Sequence, residues 1–219
     1  MTTDAEKMVK RIKAIQVSRL ADKEQPVALV DLDGTCCAYD QTLFKDLNAL
    51  RCEHEPFITA FESDTEPAYL KARMNLIRNS SDWWENLPEL PLGMQMFHIM
   101  KEIGFRMVVC TAGPKKNADA WKGKVLWCLK HLPEGTDIII TRDKGLIYGN
   151  VLMDDWPEYT DRWLAHRPRG LVIMPAHDHN KGYTHPNAIR WTGTKEEYVK
   201  IRDRLLGIYN VKMMAGQEE

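Results

Sequence analysis

Val27-Ala28-Leu29-Val30-Asp31-Leu32-Asp33-Gly34-Thr35 is the stretch from which the rest of the chain is read. Four apolar residues, two of them β-branched, make a run too short for a buried helix and predict an interior strand of a parallel sheet. The strand stops on two carboxylates. In open α/β sheets ligands bind in the crevice beyond the carboxyl ends of the strands, so Asp31 is expected to face a site and not the core. Side chains two apart in extended chain point the same way, which sends Asp31 and Asp33 towards that crevice while Leu32 turns inward. Gly34 permits the sharp exit.

Paired carboxylates at a strand end suit covalent phosphoryl transfer. Asp31 would attack phosphorus and split the reaction into two displacements through an aspartyl phosphate. Asp33 would protonate the leaving alcohol and then activate the water that cleaves the intermediate. Two anions facing a phosphate dianion need a cation, and hard oxygen ligands beside phosphate suit Mg2+. The same residues also describe a polar turn, since Asp and Gly are common there. The remainder of the chain has to decide.

A chain of 219 residues fits one α/β domain with an insertion better than two independent domains. The formal net charge of −1 shows no basic excess, which favours a small phosphorylated substrate over a nucleic-acid polymer. The five cysteines include the adjacent pair Cys36 and Cys37 and show no zinc-type spacing, so a disulfide framework is not expected and a reducing, cytoplasmic setting is. No apolar run reaches membrane length and the first residues do not form a signal-peptide core, so no membrane partner is expected.

Along the chain, Asp4 to Leu20 reads as an amphipathic helix with Met8, Ile12 and Ile15 on one face. Tyr39 to Leu90 is too long for a simple crossover and reads as mostly helical. Leu43, Leu47 and Leu50 share one face and Leu70, Met74 and Ile77 another, with Thr65 as a cap and Pro67 in the first turn. These residues predict a small helical cap inserted after the first core strand. The domain plan is an N-terminal helix and first strand over 1–38, the cap over 39–90 and the remaining core over 91–219.

From Pro91 the pattern becomes βα units. Leu92, Met96, Ile99 and Ile103 mark a helix ended by Gly104, and Phe105 to Cys110 a second strand. It stops on Thr111-Ala112-Gly113-Pro114, which would present the Thr111 hydroxyl and backbone N–H groups to a phosphate oxygen, with Pro114 able to open a helix. Asn117 to Leu132 reads as the next helix, with Trp121, Val125, Cys128 and Leu132 on its apolar stripe. Asp137 to Ile140 is a third strand, running into Thr141-Arg142-Asp143-Lys144, where Arg142 and Asp143 are expected to pair locally. Val151 to Met153 is a fourth, stopping on Asp154-Asp155; adjacent carboxylates there make sense with a cation in reach. Leu171 to Met174 is a fifth. His177, His179 and His185 follow in a polar loop too loosely spaced for a zinc site, and Thr194 to Leu206 is a final helix.

The order of these polar strand ends, Asp31/Asp33, Thr111, Lys144 and Asp154/Asp155, resembles the haloacid dehalogenase superfamily of phosphatases, and within it the 5′(3′)-deoxyribonucleotidases. The resemblance covers Val27 to Trp191. It implies a Rossmann-like three-layer α/β fold with a parallel sheet, and a magnesium-dependent phosphomonoester hydrolase acting on (deoxy)ribonucleoside monophosphates. It implies that Asp31, Asp33 and Lys144 are catalytic and that Thr111, the Ala112 backbone and Lys144 bind phosphate. Magnesium would be held by the Asp31 carboxylate, the Asp33 carbonyl and Asp155, supported by Asp154. Tyr39, Trp83 and Trp84 match aromatic positions near the substrate base. Two departures stand out: Ala112 replaces a serine, and Trp156 replaces an arginine before Pro157. Another small phosphomonoester, a polynucleotide end, or a non-catalytic phosphate-binding module stays open as an alternative, and so does a homodimer.

Overall fold

The computed structural model describes residues 25–60 and 66–215. The helix expected over Asp4 to Leu20 and the Thr65 cap lie outside these residues. Strand β1, Val27–Val30, is central, and β2 (Arg106–Thr111), β3 (Asp137–Ile140), β4 (Val151–Met153), β5 (Leu171–Pro175) and β6 (Ala188–Trp191) complete a six-stranded sheet in the order β3-β2-β1-β4-β5-β6. Every strand pair is parallel. The order reverses at β1, so the carboxyl ends of β1, β2 and β4 open onto one crevice.

The two-residue period of the strands divides the core into two layers. Ala28, Val30, Met107, Val109, Val151, Met153 and Ile173 face one side, where they pack with Met96, Phe97 and Met100 of helix α4 (Pro91–Ile103), Ala120 and Trp127 of α5 (Ala118–His131), and Ile201 and Leu205 of α7 (Lys195–Ala215). Leu29, Val108, Cys110, Leu152, Val172 and Met174 face the other, against Trp163 and Leu164 of α6 (Pro157–His166). A sheet covered on both faces needs apolar residues at successive positions, which is why its inner strands read as continuous runs.

Between β1 and α4 lie three helices, α1 (Tyr39–Ala49), α2 (Ala68–Arg78) and α3 (Ser81–Glu85). Leu43, Leu47 and Leu70 form a small core of their own, with Met74 and Ile77 against it. Leu50, expected on that face, is 48% exposed because α1 has already ended. Helix α4 stops at Gly104 in the left-handed region, as read from sequence.

Other expectations are corrected. Helix α5 opens on an Asn117 cap, where the sequence reading starts it, but it buries Ala120, Gly123, Lys124, Trp127 and Cys128, and Trp121 of the expected stripe is half-exposed, its indole N–H donating to the Pro114 carbonyl. Strand β6 was not foreseen. Its four residues include Arg190, and the run gains a strand's hydrogen bonds only because β5 offers it an edge. Helix α7 runs beyond Leu206 to Ala215. Asp143 pairs with Arg162 of α6, not with Arg142.

Candidate active site

Asp31 follows the last residue of β1, its N–H donating to the Met153 carbonyl at 2.9 Å. The chain then turns at Gly34, whose φ of 74° lies in the left-handed region; a side chain there would also run into the Asp155 carboxylate. Lys144 arrives from a short 3-10 turn after β3, held by Asp143, whose carboxylate caps the Gly145 N–H. Its ammonium is fully buried and donates to Asp31 Oδ1 at 2.7 Å and to Asp154 Oδ2 at 2.5 Å, with the Tyr159 ring 4.7 Å away. The two carboxylates raise the Lys144 pKa above its ordinary value in spite of burial.

Asp154 and Asp155 end β4. Both oxygens of Asp154 are engaged, one by Lys144 and one by the Trp156 N–H at 2.9 Å. Burial pushes its carboxyl up to about 7, against the pull of Lys144 and with help from Asp31 and Asp155. Asp155 accepts from the Thr35 hydroxyl at 2.9 Å and from His179 Nε2 at 3.1 Å. Asp31, Asp154 and Asp155 bring carboxylate oxygens within 4.8 Å of one another.

A second ammonium lies beside the first cluster. Lys124 of α5, 2% exposed, donates to Asp33 Oδ2 at 2.5 Å and to the Thr111 hydroxyl at 3.0 Å, with its Nζ 4.9 Å from the Trp84 ring centre. Burial raises the Asp33 pKa, with Lys124 opposing the rise and Asp31 adding to it. Asp33 also lines a cavity of about 520 Å³, together with Tyr39, Arg78, Trp84, Ala112 and Arg142 among others.

With this geometry in place, a family model described as 5′ nucleotidase, deoxy (pyrimidine), cytosolic type C protein (NT5C) matches residues 25–204. The chain belongs to the NT5C family. Its fold and enzyme class follow: it is a phosphatase of the haloacid dehalogenase type. A Bordetella pertussis protein named as a candidate 5′(3′)-deoxyribonucleotidase is 25% identical over 173 residues, which span 74% of this chain and 90% of that one. A relative of the same name from Bordetella bronchiseptica is 28% identical over 124 residues, spanning 56% of this chain and 65% of that one. A solved structure of a HAD family hydrolase from Deinococcus radiodurans R1, with bound phosphate and sodium, superposes with a TM-score of 0.50 at 13% identity, covering 84% of this chain and 97% of that one. At that identity the likeness concerns the fold.

The NT5C-family chain thus brings Asp31, Asp33, Thr111, Lys144, Asp154 and Asp155 to one rim. Of the aromatic candidates, Trp83 packs edge-on against Tyr39 and Trp84, its indole N–H donating to Asp46 at 2.7 Å, and does not itself line the cavity. Trp84 is 3% exposed; Tyr39 stacks on it at 5.2 Å, and Lys124 lies near the same ring. Tyr39, half-buried, is left as the aromatic wall with room for a ligand.

Sequence reasoning missed Lys124 and His179. The signal for Lys124 was its helical spacing from Ala120 and Trp127, which puts a lysine on the buried stripe of α5. For His179 no local signal exists, because its partner is 24 residues away. His177 is nearby as well, its Nε2 donating to the Gly34 carbonyl at 2.5 Å.

The donor set fits a hard divalent cation. Asp31, Asp33, Asp154 and Asp155 gather around two ammonium groups, those of Lys144 and Lys124, with the His179 ring beside Asp155, so carboxylates outnumber the lysines two to one. No helix among the described residues is long and apolar enough to cross a membrane.

Proposed function

We propose that the chain hydrolyses (deoxy)ribonucleoside monophosphates through an aspartyl phosphate at Asp31, with Mg2+ as cofactor. The reading is carried by one observation: the ends of three strands meet where the buried Lys144 ammonium, following β3, bridges Asp31 after β1 and Asp154 after β4. Asp31 keeps its second oxygen for attack in line with the leaving oxygen. Lys144 fixes the nucleophile's orientation and offsets charge on the transferring phosphoryl, as a preorganised cation does in a site closed to water.

Asp33 is the acid and base. Burial draws its carboxyl up from the ordinary range, which favours proton exchange with the leaving oxygen, and its position at the cavity wall suits transfer to a group bound there. Thr111 and the Ala112 N–H hold phosphate oxygens, while Lys124 orients both Thr111 and Asp33. Asp155, Asp31 and the Asp33 carbonyl are the residues suited to hold magnesium, since Asp154 is already satisfied by Lys144 and Trp156. Magnesium there would supply charge neutralisation between the nucleophile and the phosphate. Tyr39 would stack on the nucleobase, an interaction worth about 1–3 kcal/mol per base.

The test is turnover of a panel of nucleoside monophosphates with magnesium by the wild type and by Asp31→Asn. The variant should fold normally and lose turnover, and chelation of divalent cations should silence the wild type until magnesium is restored. Near-normal activity in the variant would refute the covalent route.

A further inference from the structure

The cavity beside Asp33 is charged in a way that the reaction at Asp31 does not use. The whole chain carries a net charge of −1, yet Arg78, Lys116 and Arg142 all line this one cavity, where Asp33 is the single carboxylate and is already paired with Lys124. None of the three forms an ion pair with a described residue. They come from three separate places: the end of α2, the loop leading into α5, and the loop after β3.

Arg78 is the most firmly placed. Its guanidinium donates to the Tyr39 hydroxyl at 3.3 Å, the Met74 carbonyl at 3.3 Å and Asn75 Oδ1 at 3.2 Å, all neutral acceptors. Its own carbonyl accepts from Trp84 Nε1 at 2.8 Å and Asn117 Nδ2 at 2.7 Å, which pins the end of α2 over the cavity. The charge is therefore held in position without a partner of opposite sign.

The cavity reaches Asp33 but is not lined by Asp31 or Lys144. It runs outward from Asp33 and Ala112, so its cations extend beyond the phosphoryl group in transfer on the side of the leaving group. A nucleoside monophosphate would set its one anionic group at Asp31 and turn a neutral sugar and base towards three cations. We propose that the preferred substrate carries a second phosphate on the leaving group, as in a nucleoside 3′,5′-bisphosphate. One phosphate lies at Asp31, the other among Arg78, Lys116 and Arg142, and the base lies against Tyr39. Guanidinium groups suit this task because their planar fork matches two phosphate oxygens at once. Water supplies the oxygen that ends on phosphorus, the bond from phosphorus to the sugar oxygen breaks, and that oxygen takes the proton from Asp33. The products are a nucleoside monophosphate and inorganic phosphate. This inference rests on the phosphatase reading at Asp31 and names its substrate more narrowly.

The experiment measures kcat/KM with magnesium at low ionic strength for thymidine 3′,5′-bisphosphate, thymidine 5′-monophosphate, fructose 1,6-bisphosphate and p-nitrophenyl phosphate. The thymidine bisphosphate should exceed the monophosphate by about tenfold or more, as expected where a charged cleft gathers its ligand, and added salt should narrow the gap. Arg78→Met and Arg142→Met should each lower the ratio of bisphosphate to monophosphate several-fold, and Arg78→Lys should recover part of it. Equal efficiency on both thymidine nucleotides, or a ratio unmoved by the variants, would overturn the second phosphate and leave the phosphatase reading standing. Faster turnover of fructose 1,6-bisphosphate than of either nucleotide would overturn the nucleoside. Failure to turn over any of the four would remove the phosphatase reading and this inference with it.

Discussion

Lys144 and Lys124 are both buried ammonium groups at the same rim of the sheet, and they are held differently. Lys144 sits on a tight turn between two buried carboxylates, those of Asp31 and Asp154, each fixed at the end of a strand. Lys124 rises from the middle of a helix to one carboxylate, that of Asp33, and one hydroxyl, that of Thr111. The side chain of Asp33 is 28% exposed, whereas that of Asp154 is fully buried. The first arrangement is closed and holds the nucleophile still. The second borders the cavity, so Asp33 can exchange part of its contact with Lys124 for contact with a ligand.

This contrast can be broken at its stronger end first. Lys144→Met leaves Asp31 and Asp154 buried with no cation, which should cost about 3–5 kcal/mol of stability and lower kcat at least a hundredfold, roughly the loss seen when one preorganised donor is removed. Denaturant unfolding beside steady-state kinetics would measure both. A variant as stable as the wild type would mean that Lys144 does not hold the rim together.

Lys124→Met should cost less. A hydrogen bond to a charged group is worth about 1.5–3 kcal/mol, and Asp33 retains access to water. The fall in kcat should be nearer tenfold, an order-of-magnitude expectation for an orienting group whose acid remains in place. A larger loss here than at Lys144, in the same assays, would reverse the ranking of the two clusters.

Gly123→Ala sharpens the same point without touching a charge. Its Cβ would run into the Ser81 carbonyl oxygen and lie 2.5 Å from Trp84 Cβ, so α5 must move away from α3 and carry Lys124 with it. Overpacking of this kind costs about 1–3 kcal/mol. The loss of activity should be smaller than for Lys124→Met, and a crystal structure of the variant should show a longer distance from Lys124 to Asp33.

The smallest effect is expected at Arg162→Ala. The pair of Arg162 with Asp143 lies behind the turn that carries Lys144, but it is exposed to solvent, and such pairs contribute little. Its kcat should stay within about twofold of the wild type. A loss comparable to that of Lys144→Met would show that the turn depends on this pair.

The two lysines also mark the limit of what the chain declares about itself. Lys144 follows a strand, and its company of polar strand ends made it a candidate; the same reasoning found Asp31, Asp33, Thr111, Asp154 and Asp155, all of which reach one rim. Lys124 lies in a helix whose apolar stripe was read about one position out of phase, around Trp121 and Val125 and not Ala120 and Trp127. Strand β6 escaped notice because a four-residue run containing Arg190 has too little pattern to stand out.

Sequence alone determined the strands β1 to β5 and the charged groups at their ends, because a parallel sheet buried on both faces demands unbroken apolar runs that stop where a site begins. Tertiary structure alone decided that Lys124 clasps Asp33, that His179 meets Asp155, that Trp83 donates to Asp46, and that Arg78, Lys116 and Arg142 line one cavity. Periodicity is a property of neighbouring residues. The pairing of charges depends on which distant segments the fold brings within a few ångströms.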